Sequence, residues 1–466
     1  MGLRRKTVPR MSLFHESRIT LKLAFPLMIG QLSQMLLGVA DTVMVGQLGV
    51  TELAALTFAN SMMYVPFVFG IGLLSAVSVI TSNARGAADP ATARASCRHG
   101  LYLGTAMGLL IFLACWLISL RLDWFGQPPE VAARTPVYFR ILMASMVPGL
   151  ASMALKNHAD ALNRPWPPFW IFLSGVVVNI VLNWLLIHGL YGFPKLGMEG
   201  AAWATLIARC CILVAMLCWL MRAEGLREWV PYHWLRAPEF QAIRHQLAIG
   251  FPASLQMICE VSAFSAAGLI MGHFGRDAMA SHQIAITCAG TAFMIPLGLS
   301  MALTVRMGEA HGAGDLTRLR PILLSGWSLS ACYGVLAAAG FLFFGKAVAS
   351  LFIEGNQALA VIDLSAKLLV IVGIFQFCDS LQVASAAMLR GLQDVRLPAV
   401  MGFVSYWLVG LPVAAYLSMA LGWQAQGVWW GLAAGLLIAC MTLGPRLWLK
   451  TRRLVLAAVS NRQAIH

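Results

Sequence analysis

The sequence predicts an all-α polytopic membrane protein, with twelve transmembrane helices in two parallel, pseudo-symmetric six-helix lobes. Three observations predict it. Apolar stretches long enough to cross a bilayer recur along the whole chain. The basic residues between them alternate in density from one connection to the next. The two halves match each other at a constant spacing.

Of 466 residues, 59% are hydrophobic and 11% charged, and mean hydropathy is +0.76. A soluble domain carries about a quarter charged residues, so most of this surface faces something other than water. Backbone polar groups in lipid must be satisfied within the segment, which makes the stretches helices. The short alternating segments of an outer-membrane barrel are not seen. A net charge of +14 does not point to nucleic acid, because the basic residues sit in short connections rather than on one face. The ten cysteines, such as Cys210, Cys211, Cys259 and Cys378, show no metal-ligand spacing and read as small buried residues. The basic start (Arg4, Arg5, Lys6, Arg10) runs into a long span, unlike a cleavable signal peptide.

In order, spans are expected near 19–43, 53–82, 96–120, 136–158, 168–189, 199–222, 245–272, 279–307, 321–348, 361–389, 398–420 and 425–448. One side of the membrane collects Arg4 to Arg18, Arg85 to Arg98, Lys156 and Arg164, Arg222 to Arg244, Arg306 to Arg320, Arg390, Arg396 and the tail from Arg446. The other has only Arg121, Arg134, Arg140, Lys195, Arg276, Lys346 and Lys367. The basic side is expected to be cytoplasmic, with both termini inside.

Phe25-Pro26, Gly46, Gly49, Gly72, Gly86 and Asp89 each find an identical residue 226 positions later, at Phe251-Pro252, Gly272, Gly275, Gly298, Gly312 and Asp315. Arg164 aligns with Arg396, and Gly200 with Gly427, at slightly different spacings. Six spans per half is an even number, so the halves run parallel about an axis along the membrane normal. The expected division is 1–222 for the first lobe, 223–244 for a cytoplasmic linker and 245–466 for the second lobe.

A charge at the bilayer centre costs about 2.5–3.5 kcal/mol on insertion scales, so an intramembrane carboxylate needs a reason. Glu260 lies in the seventh span, one turn after Gln256; its repeat partner is Gln34. Asp379 lies in the tenth, within a Gln376, Asp379, Gln382 stripe. The two carboxylates are expected to face one cavity. Asp41 follows Gln31, Gln34 and Gly38 on one face of the first span, and reads either as a solvated loop acid or as a partner of Asn179 and Asn183. Those asparagines read equally as helix-to-helix hydrogen bonds. Asp363 with Lys367 at i+4 reads as a surface pair, and Arg209 as snorkelling or internally paired. A desolvated carboxylate can be protonated near neutral pH or kept ionised by a bound cation, so it can exchange H⁺ or Na⁺ for a cationic substrate.

The stretch from Gln31 to Gly86 (QLSQMLLGVADTVMVGQLGVTELAAL and GIGLLSAVSVITSNARGA) resembles the multidrug and toxic compound extrusion (MATE) family. So do its repeat MIPLGLSMALTVRMGEAHGAGD from Met294 and LRGLQDVRLP from Leu389. The resemblance spans essentially the whole chain, and Glu260 and Asp379 match the NorM-type bacterial branch. It implies a V-shaped pair of lobes in the bacterial inner membrane, working as a monomer by alternating access, and export of organic cations against Na⁺ or H⁺ with no other cofactor. Glu260 and Asp379 would be the coupling-ion carboxylates. Asp41, Asn179, Asn183 and Thr205 would form a polar site in the first lobe. Gln34, Ser61, Gln256, Gln283, Gln376 and Gln382 would face the substrate cavity. Phe293 stands where some members carry Tyr, keeping a cation–π face without the hydroxyl.

A major-facilitator carrier would carry a dense basic signature between spans two and three, which NARGAADPATARASCR does not fit. A lipid or polysaccharide flippase of the same superfamily would show more cavity Arg and Lys. A membrane enzyme would need a nucleophile–base or metal motif, and HExxH, GxSxG and P-loop patterns are absent from the sequence. His158 and Asp160 read as a solvated helix end.

Overall fold

The computed structural model describes residues 13–121, 126, 128–353 and 359–464; Arg4, Arg5, Lys6 and Arg10 lie outside them. Among the described residues there are twelve helices long and apolar enough to span a membrane. Each expected span is found, and most run several residues further at each end. The first three helices are α1 (Leu13–Gly46), α2 (Val50–Gly86) and α3 (Pro90–Ile118). The fourth span is α4 (Pro129–Ala144) followed by α5 (Met146–Ala161), broken at Ser145. Pro148 has no N–H for the Ala144 carbonyl, which accounts for the break. The first lobe closes with α6 (Trp166–His188) and α7 (Met198–Arg222).

The second lobe holds α8 (Phe240–Met271), α9 (Arg276–Gly312), α10 (Leu319–Ser350) and α11 (Leu359–Gly391). Its fifth span is interrupted: α12 (Arg396–Phe403) passes through a π-helical stretch Val404–Gly410, then α13 (Leu411–Ala415) and a second π-helical stretch Tyr416–Ala420. Pro412 leaves the Leu408 carbonyl without its helical donor, and wider turns at such a point are a recurring device near functional residues. The last helix is α14 (Gln424–Ala464).

The repeat is visible in the backbone. Asp89 caps α3, accepting from the Ala91 and Thr92 amides at 3.1 Å each, and Pro90 takes the first helical position. The Thr92 side-chain hydrogen bond leads the contacts that hold the Asp89 carboxyl below its ordinary range. The turn residues Ala88 and Gly314, 226 apart, both have positive φ. Asn163 and Gln393 are the left-handed residues of the next pair of turns. They set Arg164 against Asp394, so the expected pairing of Arg164 with Arg396 is corrected: turn geometry, not residue identity, defines the alignment.

Each lobe has its own apolar core, one around Leu74, Phe139, Met143 and Leu150, the other around Phe375, Tyr406, Val428 and Trp429. A third core joins the lobes at the basic end, where Leu23, Leu27 and Ala161 pack with Leu299, Leu303 and Leu323. There the contacts are reciprocal. A Cβ on Gly72 would meet the Ser254 backbone, and one on Gly298 the Met28 backbone. Met28 and Ser254 are themselves 226 apart, as are Gly72 and Gly298. Gly86 presses on Glu309 and Ala313, and Gly312 on Asn83, where Asn83 and Glu309 are again repeat partners. Asn83 also donates to the Gly391 carbonyl at 3.0 Å, and Asn163 to Glu309 at 3.0 Å. These contacts close the two lobes on each other at the basic end.

Candidate functional site

In the first lobe the structure brings Asp41, Asn179, Asn183 and Thr205 together. Asn183 Nδ2 donates to Asp41 Oδ1 at 2.5 Å and to Asn179 Oδ1 at 3.2 Å. The Thr205 hydroxyl lies 3.0 Å from the Ala201 carbonyl and 3.4 Å from Asp41 Oδ2, and accepts from Asn179 at 3.1 Å. With the Asn179 amide turned over, its nitrogen instead donates to Asp41 Oδ1 at 3.0 Å and its oxygen takes the Thr205 hydroxyl. Either way the carboxylate is held by side chains of α6 and α7, not by loop solvent. Arg209 is in electrostatic range of Asp41 and donates to Ser145 Oγ at 2.8 Å, so it is paired internally.

In the second lobe Glu260 and Asp379 are close enough to interact electrostatically. Asp379 is buried and its Oδ1 has no hydrogen-bond partner. On the same stripe of α11, Gln376 Nε2 donates to the Ala289 carbonyl at 2.8 Å, while Gln376 Oε1 and Gln382 Oε1 are buried without partners. Glu260, Gln256, Phe293 and Gln382 line a cavity of about 70 Å³ together with Arg390 and Asp160.

Asp379 does not line this cavity, so the expectation that the two carboxylates face one cavity is corrected, and Gln34, Ser61, Gln283 and Gln376 do not line it either. Gln34 is half-buried with Nε2 unpartnered. Ser61 is exposed and donates to the Thr57 carbonyl at 2.9 Å. Gln283 is exposed on α9, and Gln376 is fully buried against it.

Sequence reading missed several groups. Tyr406, buried in the π-helical turn, lies within electrostatic range of Glu260 and Asp379, and its hydroxyl closes no hydrogen bond in this geometry. Its span carries two phenols, Tyr406 and Tyr416, and nothing in the sequence separates one from the other. Arg390, expected among loop charges, instead lines the cavity in range of Glu260, because α11 carries it inward between the lobes. His158 and Asp160 are not a solvated end. His158 is fully buried, bonded to Thr81 at 3.0 Å and to the Trp229 carbonyl at 3.1 Å, and Lys156 pairs with Asp160 at 2.7 Å. Lys346, not Lys367, pairs with Asp363, at 2.8 Å, since the neighbouring helix end lies closer than the next turn.

The MatE family model matches the chain twice, over residues 26–185 and 252–416, so the matches begin 226 residues apart, at the spacing of the internal repeat. The chain is 34% identical over 446 residues to "Probable multidrug resistance protein NorM" of Agrobacterium fabrum, covering 95% of this chain and 96% of the relative. It is 33% identical over 461 residues to "Multidrug resistance protein NorM" of Burkholderia vietnamiensis, covering 98% and 99%. Among solved structures, a MATE transporter in the bent conformation superposes with a TM-score of 0.87 at 20% identity, covering 95% of this chain and 97% of that one. The Vibrio cholerae MATE transporter VcmN in its bent form gives 0.84 at 22%, covering 96% and 98%. Twelve spans, a doubled family match and full-length relatives agree, and the chain belongs to the MatE family, that of the MATE transporters.

Proposed function

We propose that this chain is a multidrug efflux antiporter of the bacterial inner membrane. It exports organic cations and apolar drugs in exchange for Na⁺ or H⁺ by alternating access, with its termini and the 223–244 linker in the cytoplasm. The observation that carries the reading is the pair of second-lobe carboxylates. Glu260 and Asp379 lie together in a setting with unpartnered buried oxygens on Asp379, Gln376 and Gln382. Oxygens short of donors suit a hard cation or a proton. Nothing apolar could take that place without leaving the carboxylates unpaired.

The cavity at Glu260 holds about 70 Å³, room for a water or two and not for a drug. A drug-sized substrate therefore enters only when the lobes part on one side, and because Asn157 and Asp160 of the first lobe line this cavity with Glu260 and Arg390 of the second, the same parting opens it. The substrate and the ion then compete through the position of the lobes. The polar cluster at Asp41 serves as a second acidic site, in the first lobe. The names of the NorM relatives support drug export.

The test is transport by purified protein in liposomes, with ethidium or a fluoroquinolone and an imposed Na⁺ or H⁺ gradient, each ion separately. Glu260→Gln and Asp379→Asn should each abolish coupled export while the protein stays monodisperse. Full activity in both variants would remove the ion-site assignment, and drug movement indifferent to either gradient would remove antiport.

A further inference from the structure

At the basic end of the molecule the two pseudo-symmetric lobe junctions are filled differently. At one of them Glu16 of α1 sits fully buried beneath α9 and α10. Arg306 donates to the Glu16 carboxylate and, at 2.5 Å, to the Thr20 hydroxyl, and Arg318 Nε lies 3.4 Å from the same carboxylate. The 226-residue spacing maps Glu16, Thr20, Arg306 and Arg318 onto Ala242, Gln246, Ile80 and Thr92. All four of those residues line a cavity of about 480 Å³. Where the first junction holds a carboxylate, the second holds a methyl group and open space.

The charge around that space is positive. Arg94, Arg98 and Arg236 line it against one carboxylate, Glu239, with His99, His233 and His245 beside them. Glu239 engages Arg98 at 3.0 Å and is half exposed. Two buried donors have no partner, Arg98 Nε and Gln246 Nε2, on side chains of residues 6% and 1% exposed. Buried donors left unpaired are costly, and their usual explanation is a group that the site receives. The wall is firm. The Tyr102 hydroxyl lies 2.6 Å from the Trp234 carbonyl and 2.7 Å from that of Arg236, and Arg94 covers the Tyr232 ring at 4.9 Å while donating to the Glu228 carbonyl at 2.8 Å. Tyr232, Leu235 and Phe240 stand exposed nearby, apolar groups at the edge of the membrane.

We infer that this cavity binds a phosphate-bearing anion, from an anionic phospholipid headgroup or from a soluble phosphate ester, in the place that the Glu16 carboxylate occupies at the opposite junction. Arginines suit phosphate bidentately. The volume, within the range of small-ligand pockets, exceeds what a lone carboxylate needs. The bound anion would complete the second junction as Glu16 completes the first, tying the 223–244 linker to α3 and α8. The role is separate from drug export and does not depend on it.

The experiment is native mass spectrometry of the delipidated full chain, titrated with phosphatidylglycerol, with diacylglycerol and with glycerol phosphate. The variants are Arg94→Gln with Arg236→Gln, and Ala242→Glu, which supplies the missing carboxylate; Arg227→Gln, on the linker outside the cavity, is the control. Phosphatidylglycerol or glycerol phosphate should bind, diacylglycerol should not, and both test variants should weaken binding by about tenfold or more while the control leaves it unchanged. Binding of phosphatidylglycerol alone assigns the lipid, and binding of glycerol phosphate alone assigns a soluble ester. Absence of both ligands, equal binding by diacylglycerol, or an equal loss in Arg227→Gln would overturn the inference. Should Ala242→Glu fail to fold, the arginine pair decides alone.

Discussion

Arg306 of the second lobe reaches across to Glu16 of the first, and both side chains are buried at that junction. Thr20 and Arg318 complete the network, and Ser17 and Ser325 hydrogen-bond beside it at 3.0 Å. A buried pair stripped of one partner leaves an uncompensated charge, costing about 3–5 kcal/mol. Under the proposed alternating access these contacts must break, and the network then sets the relative energy of the state closed at the basic end. Arg306→Gln is expected to lower the melting temperature in detergent. A cysteine placed at Ser17 should be modified faster by a water-soluble maleimide than in the parent background. Unchanged labelling would mean that the pair does not hold the lobes together.

The reciprocal glycine contacts give a steric version of the same test. Gly86 and Gly312 each face backbone of the other lobe with no space for a methyl group. In well-packed surroundings an extra methyl costs about 1–3 kcal/mol, and here the cost falls only on the closed arrangement. Gly312→Ala should therefore bias the protein toward separation at the basic end and reduce drug export, while Gly314→Ala, whose Cβ would meet open space, tests backbone strain alone. Equal export by Gly312→Ala and the parent would show that this closure is not part of the transport cycle.

Spans and repeat were legible because lipid imposes a length and an apolar composition, and because a duplicated chain keeps its turns. That Glu260 and Asp379 lie within apolar helices was legible for the same physical reason: an acid stands out against an apolar span. Arg98, Arg306 and Arg390 were not. Each sits near a helix end, where charge ordinarily marks the cytoplasmic side, yet the helices overrun the apolar core and the arginines turn inward between lobes. Burial between distant segments leaves no local pattern. Tyr406 was hidden likewise, since nothing in its own span announces that it lies in range of an acid on α8.

The first-lobe cluster allows a coupling measurement. Asn183 gives Asp41 its shortest hydrogen bond, 2.5 Å, and a hydrogen bond to a charged group contributes about 1.5–3 kcal/mol. In a double-mutant cycle with Asp41→Asn and Asn183→Ala, thermal stability should show an interaction of about 1 kcal/mol or more between the two sites. Additive effects would place Asp41 in bulk solvent when the protein is in its native state. The same cycle read in transport separates a structural from a functional cluster, because only the latter changes the dependence on drug concentration.

Tyr406 lies in electrostatic range of Glu260 and Asp379, and its buried hydroxyl has no hydrogen-bond partner among the described residues. Phenylalanine keeps the ring that packs with the second-lobe core and removes only the oxygen. If the hydroxyl stabilises an ionised Glu260 by donating to it, Tyr406→Phe raises the cost of the charged form and favours the protonated one. The expected outcome is export that remains folded and measurable, with its pH profile displaced toward higher pH and, where Na⁺ is the coupling ion, a higher Na⁺ concentration at half-maximal rate. The sign follows from which form loses a donor: the carboxylate does, and the acid does not. A pH profile and ion dependence identical to the parent would reduce Tyr406 to packing, and a displacement toward lower pH would mean that its oxygen accepts a hydrogen bond from protonated Glu260 rather than donating one to the carboxylate.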